Sequence, residues 1–197
     1  RVLDIFRSAC QRQNQLVDDL LTLCYIDAKK ETTTMQWLDL SVWIPQIIEP
    51  FQKQINTQKQ ELLVDVFPNL PLFKSDVSTI KRALTELLNN ACKYTPAGET
   101  ILIAAQPMLN GVKISVSNTG VEIPLSEQQR VFDKFYRIPN HDPWQYGGSG
   151  IGLALVKKLV ELLGGEITLE SQHRQTNFII CLPCETIENE VFLQDDG

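Results

Sequence analysis

A run of glycines directly before a helical pattern is the strongest chemical signal in this sequence. The segment GGSGIG occupies residues 147–152 and leads into LALVKKLVELL, which has helical periodicity. Glycines let backbone N–H groups approach a ligand closely, and the start of a helix carries partial positive charge. The segment therefore predicts an anion site, typically for phosphate, with a glycine loop that binds nothing as the alternative. It is not a Walker loop, because Leu153 follows Gly152 where that motif has Lys, and it does not follow a strand as a dinucleotide fingerprint does.

A second group of polar side chains lies on a predicted helix. Asp76 can cap a helix over residues 77–94, in which Glu86, Asn90 and Lys93 lie on one side. Asn is unfavourable inside a helix, so Asn90 is either tolerated or used. Its neutral oxygen suits Mg²⁺, Glu86 can accept a proton or orient a water, and Lys93 can meet a phosphate as a point charge. A solvated polar face is the alternative.

A third candidate is the end of a predicted strand. Asn118 ends this strand, and the chain then turns at Gly120. A polar side chain in this position can contact the edge of a base, although such a turn has no functional meaning in isolation.

Composition narrows the class of protein. The 197 residues are 43% hydrophobic and carry a net charge of −6, of which residues 185–197 supply five acidic side chains and no basic one. We expect those residues to be a disordered tail, and the nearly neutral remainder is not that of a nucleic-acid-binding protein. The sequence has no apolar run long enough to span a membrane. Five cysteines and two histidines argue against a disulfide framework and a histidine metal centre, and the CxxC of Cys181 and Cys184 is expected to be inert. The first residue is Arg1, so the chain is interpreted as a piece of a longer protein.

The sequence predicts one long helix over residues 1–29. Its 3-4 spacing of largely apolar positions is that of a heptad seam, formed by Leu3, Phe6, Cys10, Gln13, Val17, Leu20, Cys24 and Asp27. A second stripe with Leu16 and Leu23 widens the apolar band, which needs a partner helix. A bundle or a dimer is favoured over packing on the rest of this chain.

The elements that must position the polar groups alternate between strands and helices. After a polar linker, the patterns predict a strand at 36–40, a helix at 41–56 capped by Ser41 with Pro45 in its first turn, a strand at 61–67 and the helix at 77–94. A hairpin turning at Asn110-Gly111 joins strands at 100–106 and 112–117; a loop then runs to 148, followed by a helix at 150–163 and strands at 166–171 and 177–182. This order predicts an α+β fold, a two-layer α/β sandwich with a mixed sheet of about five strands against three helices, preceded by one long helix.

In order and spacing, these elements resemble the ATP-binding catalytic domain of sensor histidine kinases from two-component systems, which has the Bergerat-type ATP-binding fold. The segment ELLNNACKY at 86–94 is similar to the N box of that family, and residues 118–123 to its first glycine box. FDKFYR at 132–137 resembles the F box, and GSGIG at 148–152 the second glycine box. Residues 1–30 resemble the second helix of the dimerisation and phosphotransfer hairpin. The implied domains are therefore 1–30, an ATP-binding domain at 31–184 and the tail at 185–197.

The resemblance implies a role for each matching residue. Asn90 would bind Mg²⁺, Asn118 would face the adenine amino group, and residues 133–149 would form a lid over ATP. The nucleotide would be contacted by Asn90, Lys93, Tyr94, Asn118, Gly120, Ile123, Tyr136, Arg137, Gly148, Ser149, Gly150, Ile151, Gly152 and Leu153. Glu86 occupies the position at which gyrase-type ATPases carry the water-activating base, and we hypothesise that it accepts a proton or orients a water.

Three departures from the family pattern are visible. The first glycine box usually begins with Asp, and Asn118 stands there; since a hydrogen bond to a neutral acceptor is weaker than one to a charged acceptor, we expect weaker nucleotide binding. A later glycine of the box is Glu122, which adds a charge near the mouth of the pocket. The phosphoacceptor motif is missing, because neither His141 nor His173 has that setting.

The implied function is transfer of the γ-phosphoryl group of ATP, with Mg²⁺, to a histidine on an upstream helix outside this sequence. A response regulator receiver domain would then take the phosphoryl group. The resemblance further implies a homodimer through residues 1–30 and a cytoplasmic location for this part of the protein. Two alternatives remain: a non-catalytic nucleotide-binding or dimerisation module, favoured by Asn118 and Glu122, and a gyrase-like ATPase, supported by Glu86.

Overall fold

The computed structural model of the chain describes residues 2–28, 33–139, 149–183 and 186–187. The strands are β1 (Met35–Leu38), β2 (Glu61–Val66), β3 (Leu72–Asp76), β4 (Thr100–Met108), β5 (Gly111–Thr119), β6 (Glu166–Gln172), β7 (Gln175–Pro183) and β8 (Thr186–Ile187). The helices are α1 (Val2–Asp27), α2 (Leu40–Ile48), α3 (Gln52–Thr57), α4 (Val77–Tyr94) and α5 (Gly152–Leu162). None of the helices in these ranges combines the length and the apolar character needed to cross a bilayer.

The main sheet has the strand order β2-β4-β5-β7-β6, in which β2 and β4 are parallel and the other pairs antiparallel. Alternate residues of its central strands are buried beneath α4 and α5, as period-2 strands with one covered face require. Ile103, Val116 and Phe178 lie side by side in this register and are each less than 5% exposed. The predicted α+β sandwich with a mixed five-stranded sheet is confirmed.

Helix α4 begins and ends at the residues the sequence predicts. The Asp76 carboxylate accepts hydrogen bonds from the Thr79 amide at 2.8 Å, from the Ser78 hydroxyl at 2.7 Å and from the Thr34 amide at 2.5 Å. Burial opposes ionisation of this carboxyl group, but these hydrogen bonds together hold its pKa at about 2. Asp76 therefore fixes the start of α4, which carries several of the predicted site residues.

The single helix predicted over 41–56 is wrong. The segment forms α2, a 3₁₀ turn over Glu49–Phe51 and then α3, because Pro50 cannot donate the hydrogen bond that an unbroken helix needs there. The cap is Asp39 rather than Ser41, whose amide donates to the Asp39 carboxylate at 2.9 Å. Pro45 consequently lies in the interior of α2 and not in its first turn.

A second, three-stranded antiparallel sheet with the order β1-β3-β8 was not predicted. No strand is predicted between residues 67 and 77, where β3 forms, and β3 exists because it pairs with β1, with Met35 opposite Asp76. Phe73 on β3 is fully buried in the core. Thr186–Ile187, which the sequence analysis assigns to the acidic tail, form β8 against β3; the other residues of that segment lie outside the described residues.

Helix α1 packs on the domain through its second half. Leu23 is 2% exposed, and Leu16, Leu20 and Ile26 pack against the same core. This arrangement is the packing on the rest of the chain that the sequence analysis weighed as the alternative. Much of the predicted heptad seam instead faces outward, since Phe6 is 70% and Val17 52% exposed.

Candidate functional site

A cavity of about 260 Å³ opens between α4, the loop that follows β5, the start of α5 and one end of β5 and β7. Its walls combine apolar side chains with polar and charged ones. The lining residues are Glu86, Asn89, Asn90, Lys93, Tyr94, Asn118, Val121, Glu122, Ile123, Val131, Tyr136, Arg137, Ile138, Ser149, Gly150, Gly152, Leu153, Thr176 and Phe178.

The α4 wall presents its polar side chains on successive turns. The opposite face of the helix is anchored by Leu84, Leu87 and Leu88, each at most 1% exposed, so the polar face must point to the cavity. Lys93 holds its ammonium group 4.6 Å from the centre of the Tyr94 ring, an arrangement that combines a cation with an aromatic face. The wall can therefore offer amide oxygens, a carboxylate and a cation to one ligand.

The floor of the cavity is formed by the ends of β5 and β7. Asn118 lies opposite Thr176 in the strand register, and the two residues are 6% and 3% exposed. The Thr176 hydroxyl donates to the Val121 carbonyl at 3.1 Å and lies 2.9 Å from the Ser171 hydroxyl. The Asn118 side chain makes no hydrogen bond within the described parts of the chain. Since this amide reaches the cavity, it is available to pair with a ligand.

The loop after β5 is tied to the β6–β7 hairpin. The Ile123 amide donates to the Ser171 hydroxyl at 2.8 Å, and the Arg174 amide donates to the Glu122 carboxylate at 2.9 Å. Gly120 has φ +87°, and a Cβ atom there would lie 2.7 Å from the Glu99 side chain, so this turn requires glycine. Glu122 thus places a hydrogen-bonded carboxylate at the cavity, where a charge near the mouth of the pocket was expected.

The wall opposite α4 joins residues on either side of the predicted lid. The Phe135 amide donates to the Gly150 carbonyl at 2.8 Å, which ties the segment before residue 140 to the start of α5. Gly150 has φ +71°, and a Cβ atom there would lie 2.7 Å from the Phe135 backbone. Tyr136 donates its hydroxyl to Glu127, and the Arg130 guanidinium lies 4.2 Å from its ring centre. Of the lid predicted over 133–149, residues 140–148 lie outside the described residues.

Glu86 has an unusual electrostatic environment. Burial raises the pKa of its carboxyl group, and the nearby Asp19 carboxylate adds to this, while Arg82 acts in the opposite direction. Arg82 is paired with Asp19 of α1 at 2.9 Å. A Cβ atom on Gly152 would lie 3.1 Å from the Glu86 carboxylate, so this group sits beside the first residue of α5. A partly buried carboxyl group with a raised pKa is suited to accept a proton.

The start of α5 offers backbone donors to the same cavity. Ile151 at the N-cap provides no side-chain hydrogen bond to the helix, and the Ile151 amide itself donates to the Ser149 hydroxyl at 3.3 Å. The first N–H groups of a helix lack intrahelical partners and favour anions. This end of α5 and Lys93 of α4 line the same cavity.

The structure brings together most of the residues predicted for the site. Those that line the cavity are Glu86, Asn90, Lys93, Tyr94, Asn118, Ile123, Tyr136, Arg137, Ser149, Gly150, Gly152 and Leu153. Gly120 shapes the neighbouring turn without lining the cavity, and Ile151 is fully buried in the core. Gly148 lies outside the described residues. Six lining residues were not predicted from the sequence: Asn89, Val121, Val131, Ile138, Thr176 and Phe178. The alternating pattern of β7 contains Thr176 and Phe178, but only the register of β7 against β5 shows that they reach the cavity.

Comparison with known proteins agrees with this geometry. Residues 75–186 match the family model described as "Histidine kinase-, DNA gyrase B-, and HSP90-like ATPase". The chain belongs to this family of ATP-binding domains, and its curated relatives are sensor histidine kinases.

The circadian input-output histidine kinase CikA of Synechococcus elongatus is 34% identical over 88% of this chain and 23% of its own length. The sensor protein kinase WalK of Staphylococcus aureus is 28% identical over 95% of the chain and 31% of its own length. The chain thus spans less than a third of these two relatives.

Solved structures share the fold. Full-length ShkA, whose structure is a complex with AMPPNP, matches with a TM-score of 0.84 and 23% identity, over 95% of this chain and 39% of that one. The histidine kinase ThkA, in complex with the response regulator protein TrrA, matches with a TM-score of 0.70 and 22% identity, over 88% and 49%.

Proposed function

We propose that this chain is the ATP-binding catalytic part of a sensor histidine kinase that transfers the γ-phosphoryl group of ATP to a histidine on an upstream segment. The observation that carries the proposal is the single cavity that joins α4, the strand-end amide and the start of α5. Apolar side chains around one buried amide suit a heterocyclic base, whereas backbone donors and a lysine suit phosphates. The two chemistries lie at different walls of one cavity, as a nucleotide requires.

Each wall then has a proposed role. Asn118 would contact the base, with Ile123 and Leu153 packing beside it. Lys93, Tyr94 and Arg137 would contact the ribose and phosphates, as would the α5 start through Ser149, Gly150 and Gly152. Gly120 and Ile151 would support these contacts from behind, and Gly148 would belong to the same glycine segment.

Mg²⁺ fits the donor chemistry of the α4 wall. Among the described residues there is no cluster of three or more His, Cys, Asp or Glu side chains that could enclose a metal. Mg²⁺ is usually held by one or two protein oxygens together with substrate phosphates and waters, so Asn90 at the cavity is a sufficient protein ligand. The ion would neutralise phosphate charge during transfer.

The proposed reaction breaks the bond from the γ-phosphorus to its bridging oxygen and forms a bond to an imidazole nitrogen of the acceptor. ADP leaves, and a proton of the acceptor imidazole must be removed. Glu86 is the candidate base, because burial raises the pKa of its carboxyl group and it lines the cavity beside α5. Positioning and charge stabilisation would supply most of the catalysis.

Residues 1–30 are proposed to be the second helix of a dimerisation and phosphotransfer hairpin, ahead of the nucleotide domain at 31–184 and the acidic segment at 185–197. The outward-facing Phe6 and Val17 on the heptad seam support a homodimer through this helix. A response regulator receiver domain is the proposed final acceptor, and the complex of ThkA with the response regulator protein TrrA supports this class of partner.

A two-stage assay tests the function. The chain is first titrated with Mg·ATP, and a separate hairpin bearing the upstream histidine is then added with γ-labelled ATP. Binding followed by label on the histidine is the expected result, and transfer should fall in Glu86→Gln while ATP binding persists. Binding without transfer to any hairpin would instead indicate the non-catalytic module. Phosphate release without an acceptor would indicate an ATPase, the second candidate that the position of Glu86 supports.

A further inference from the structure

We infer that Asn118 makes this site accept 6-oxopurine as well as 6-aminopurine nucleotides. This inference rests on the proposed function and adds the substrate class of the same cavity. Asn118 is 6% exposed, lines the cavity and has no hydrogen-bond partner for its side chain among the described residues. Because this amide is reached from the cavity, the edge of a bound base can pair with it.

The neighbours of Asn118 leave its amide free to take either orientation. Thr176, opposite in the strand register, uses its hydroxyl proton on the Val121 carbonyl, and the Ser171 hydroxyl accepts from the Ile123 amide. These groups satisfy one another and do not hold the Asn118 oxygen or nitrogen in place. Rotation of the amide by a half turn exchanges a donor for an acceptor at nearly the same position.

This exchange matches the two kinds of purine edge. Adenine presents a 6-amino donor beside an N1 acceptor, so the amide accepts with its oxygen and donates with its nitrogen. Hypoxanthine and guanine present a 6-oxo acceptor beside an N1–H donor, and the rotated amide meets them with both bonds. An aspartate at this position would only accept: it pairs with the 6-amino group of adenine, whereas with a 6-oxopurine it can accept only from N1–H and its charge repels the 6-oxo oxygen. An amide therefore removes the element that would exclude 6-oxopurines.

The direct test compares Mg·ATP with Mg·ITP on the whole chain. ITP carries hypoxanthine, which has the 6-oxo edge without the additional 2-amino group of guanine, so the comparison isolates the edge that Asn118 would read. Dissociation constants are obtained by displacement of a fluorescent ATP analogue. We expect ITP to bind within about tenfold of ATP, as two neutral hydrogen bonds are available to each base.

Two substitutions sharpen the comparison. Asn118→Asp should tighten ATP and increase the preference for ATP over ITP by a further factor of roughly 5 to 150, since a 6-oxo group facing a carboxylate is left unpaired and repelled. Asn89→Asp makes the same chemical change on the exposed α4 wall of the cavity. It should alter both affinities together and leave their ratio unchanged. Asn118→Ala, which introduces no charge, should weaken both nucleotides by a similar factor.

The possible outcomes distinguish a failure of this inference from a failure of the proposed function. ATP binding with ITP rejected by the wild-type chain as strongly as by Asn118→Asp would overturn the inference and leave the proposed function intact. Loss of ATP affinity alone in Asn118→Ala would also overturn it. Absence of binding by any nucleotide would refute both proposals.

Discussion

Substitution of Asp76 by Asn should destabilise the fold in a pH-dependent way. Asp76 is 4% exposed and joins two parts of the chain: the α4 start through Ser78 and Thr79, and the segment before β1 through Thr34. Asn keeps an oxygen that can cap α4. It loses the charge, and its amide nitrogen, which replaces the second carboxylate oxygen, cannot accept from the Thr34 backbone.

The magnitude follows from the pKa of this carboxyl group. Lowering from 3.8 to about 2 on folding corresponds to about 2 kcal/mol of stability at pH 7 from the ionised form. Because the pKa in the folded state is depressed, this contribution is complete above pH 3.8 and is lost as the pH falls toward 2. About half of it should remain at pH 3.

Urea unfolding followed by tryptophan fluorescence at pH 7 and pH 3 measures the effect. At pH 7 the free energy of unfolding of the wild-type chain should be about 2 kcal/mol higher than that of Asp76→Asn. At pH 3 this difference should be about half as large. Asp39→Asn is the matched control, since Asp39 caps α2 from a half-exposed position with only Ser41 as its partner among the described residues. It should cost less than about 1 kcal/mol. An equal loss of stability in Asp76→Asn at both pH values would show that the ionised carboxylate is not the source of the stabilisation.

Three further predictions concern the site and the long helix. Folding raises the pKa of Glu86, so ionisation of this carboxyl group lowers the stability of the folded state as the pH rises above 4.5. Glu86→Gln should therefore have a higher melting temperature than the wild type at pH 8 and the same melting temperature below pH 4. A difference in melting temperature that does not depend on pH would contradict this. Leu23→Ala should cost about 2–4 kcal/mol in urea unfolding because Leu23 is buried, whereas the half-exposed Leu21→Ala should cost under about 1; equal costs would show that α1 does not pack as described. Burial raises the pKa of Cys92 to about 11, so native-state alkylation at pH 8 followed by peptide mass spectrometry should label exposed Cys24 far faster, and comparable rates would refute the burial of Cys92.

The sequence predicted the elements whose signals are local. Helix α4 was predicted at its observed boundaries because Asp76 supplies the cap and the apolar periodicity continues unbroken to Tyr94. The hairpin of β4 and β5 was likewise marked by Asn110 and Gly111 between alternating segments. Most candidate site residues lay on these elements or beside the glycine segment, so their convergence followed from the fold.

What the sequence did not predict depends on pairing between distant segments. Strand β3 forms because it pairs with β1, and the local sequence LFKSD contains no pattern that predicts this pairing. Thr176 joins the cavity because the register of β7 places it opposite Asn118. The packing of α1 could not be predicted in detail either, since two apolar stripes on one helix do not reveal which of them the domain covers.

Isothermal titration of the chain with Mg·ATP shows directly whether the cavity between α4 and the start of α5 binds this nucleotide. We expect saturable binding of one nucleotide per chain. We also expect affinity at least about tenfold weaker in Asn90→Ala, which removes the proposed Mg²⁺ ligand. Asn56→Ala on the exposed surface of α3 is the control and should bind as the wild type does. Absence of binding, or binding of equal strength in wild type and Asn90→Ala, would show that the cavity does not bind Mg·ATP through Asn90 as proposed.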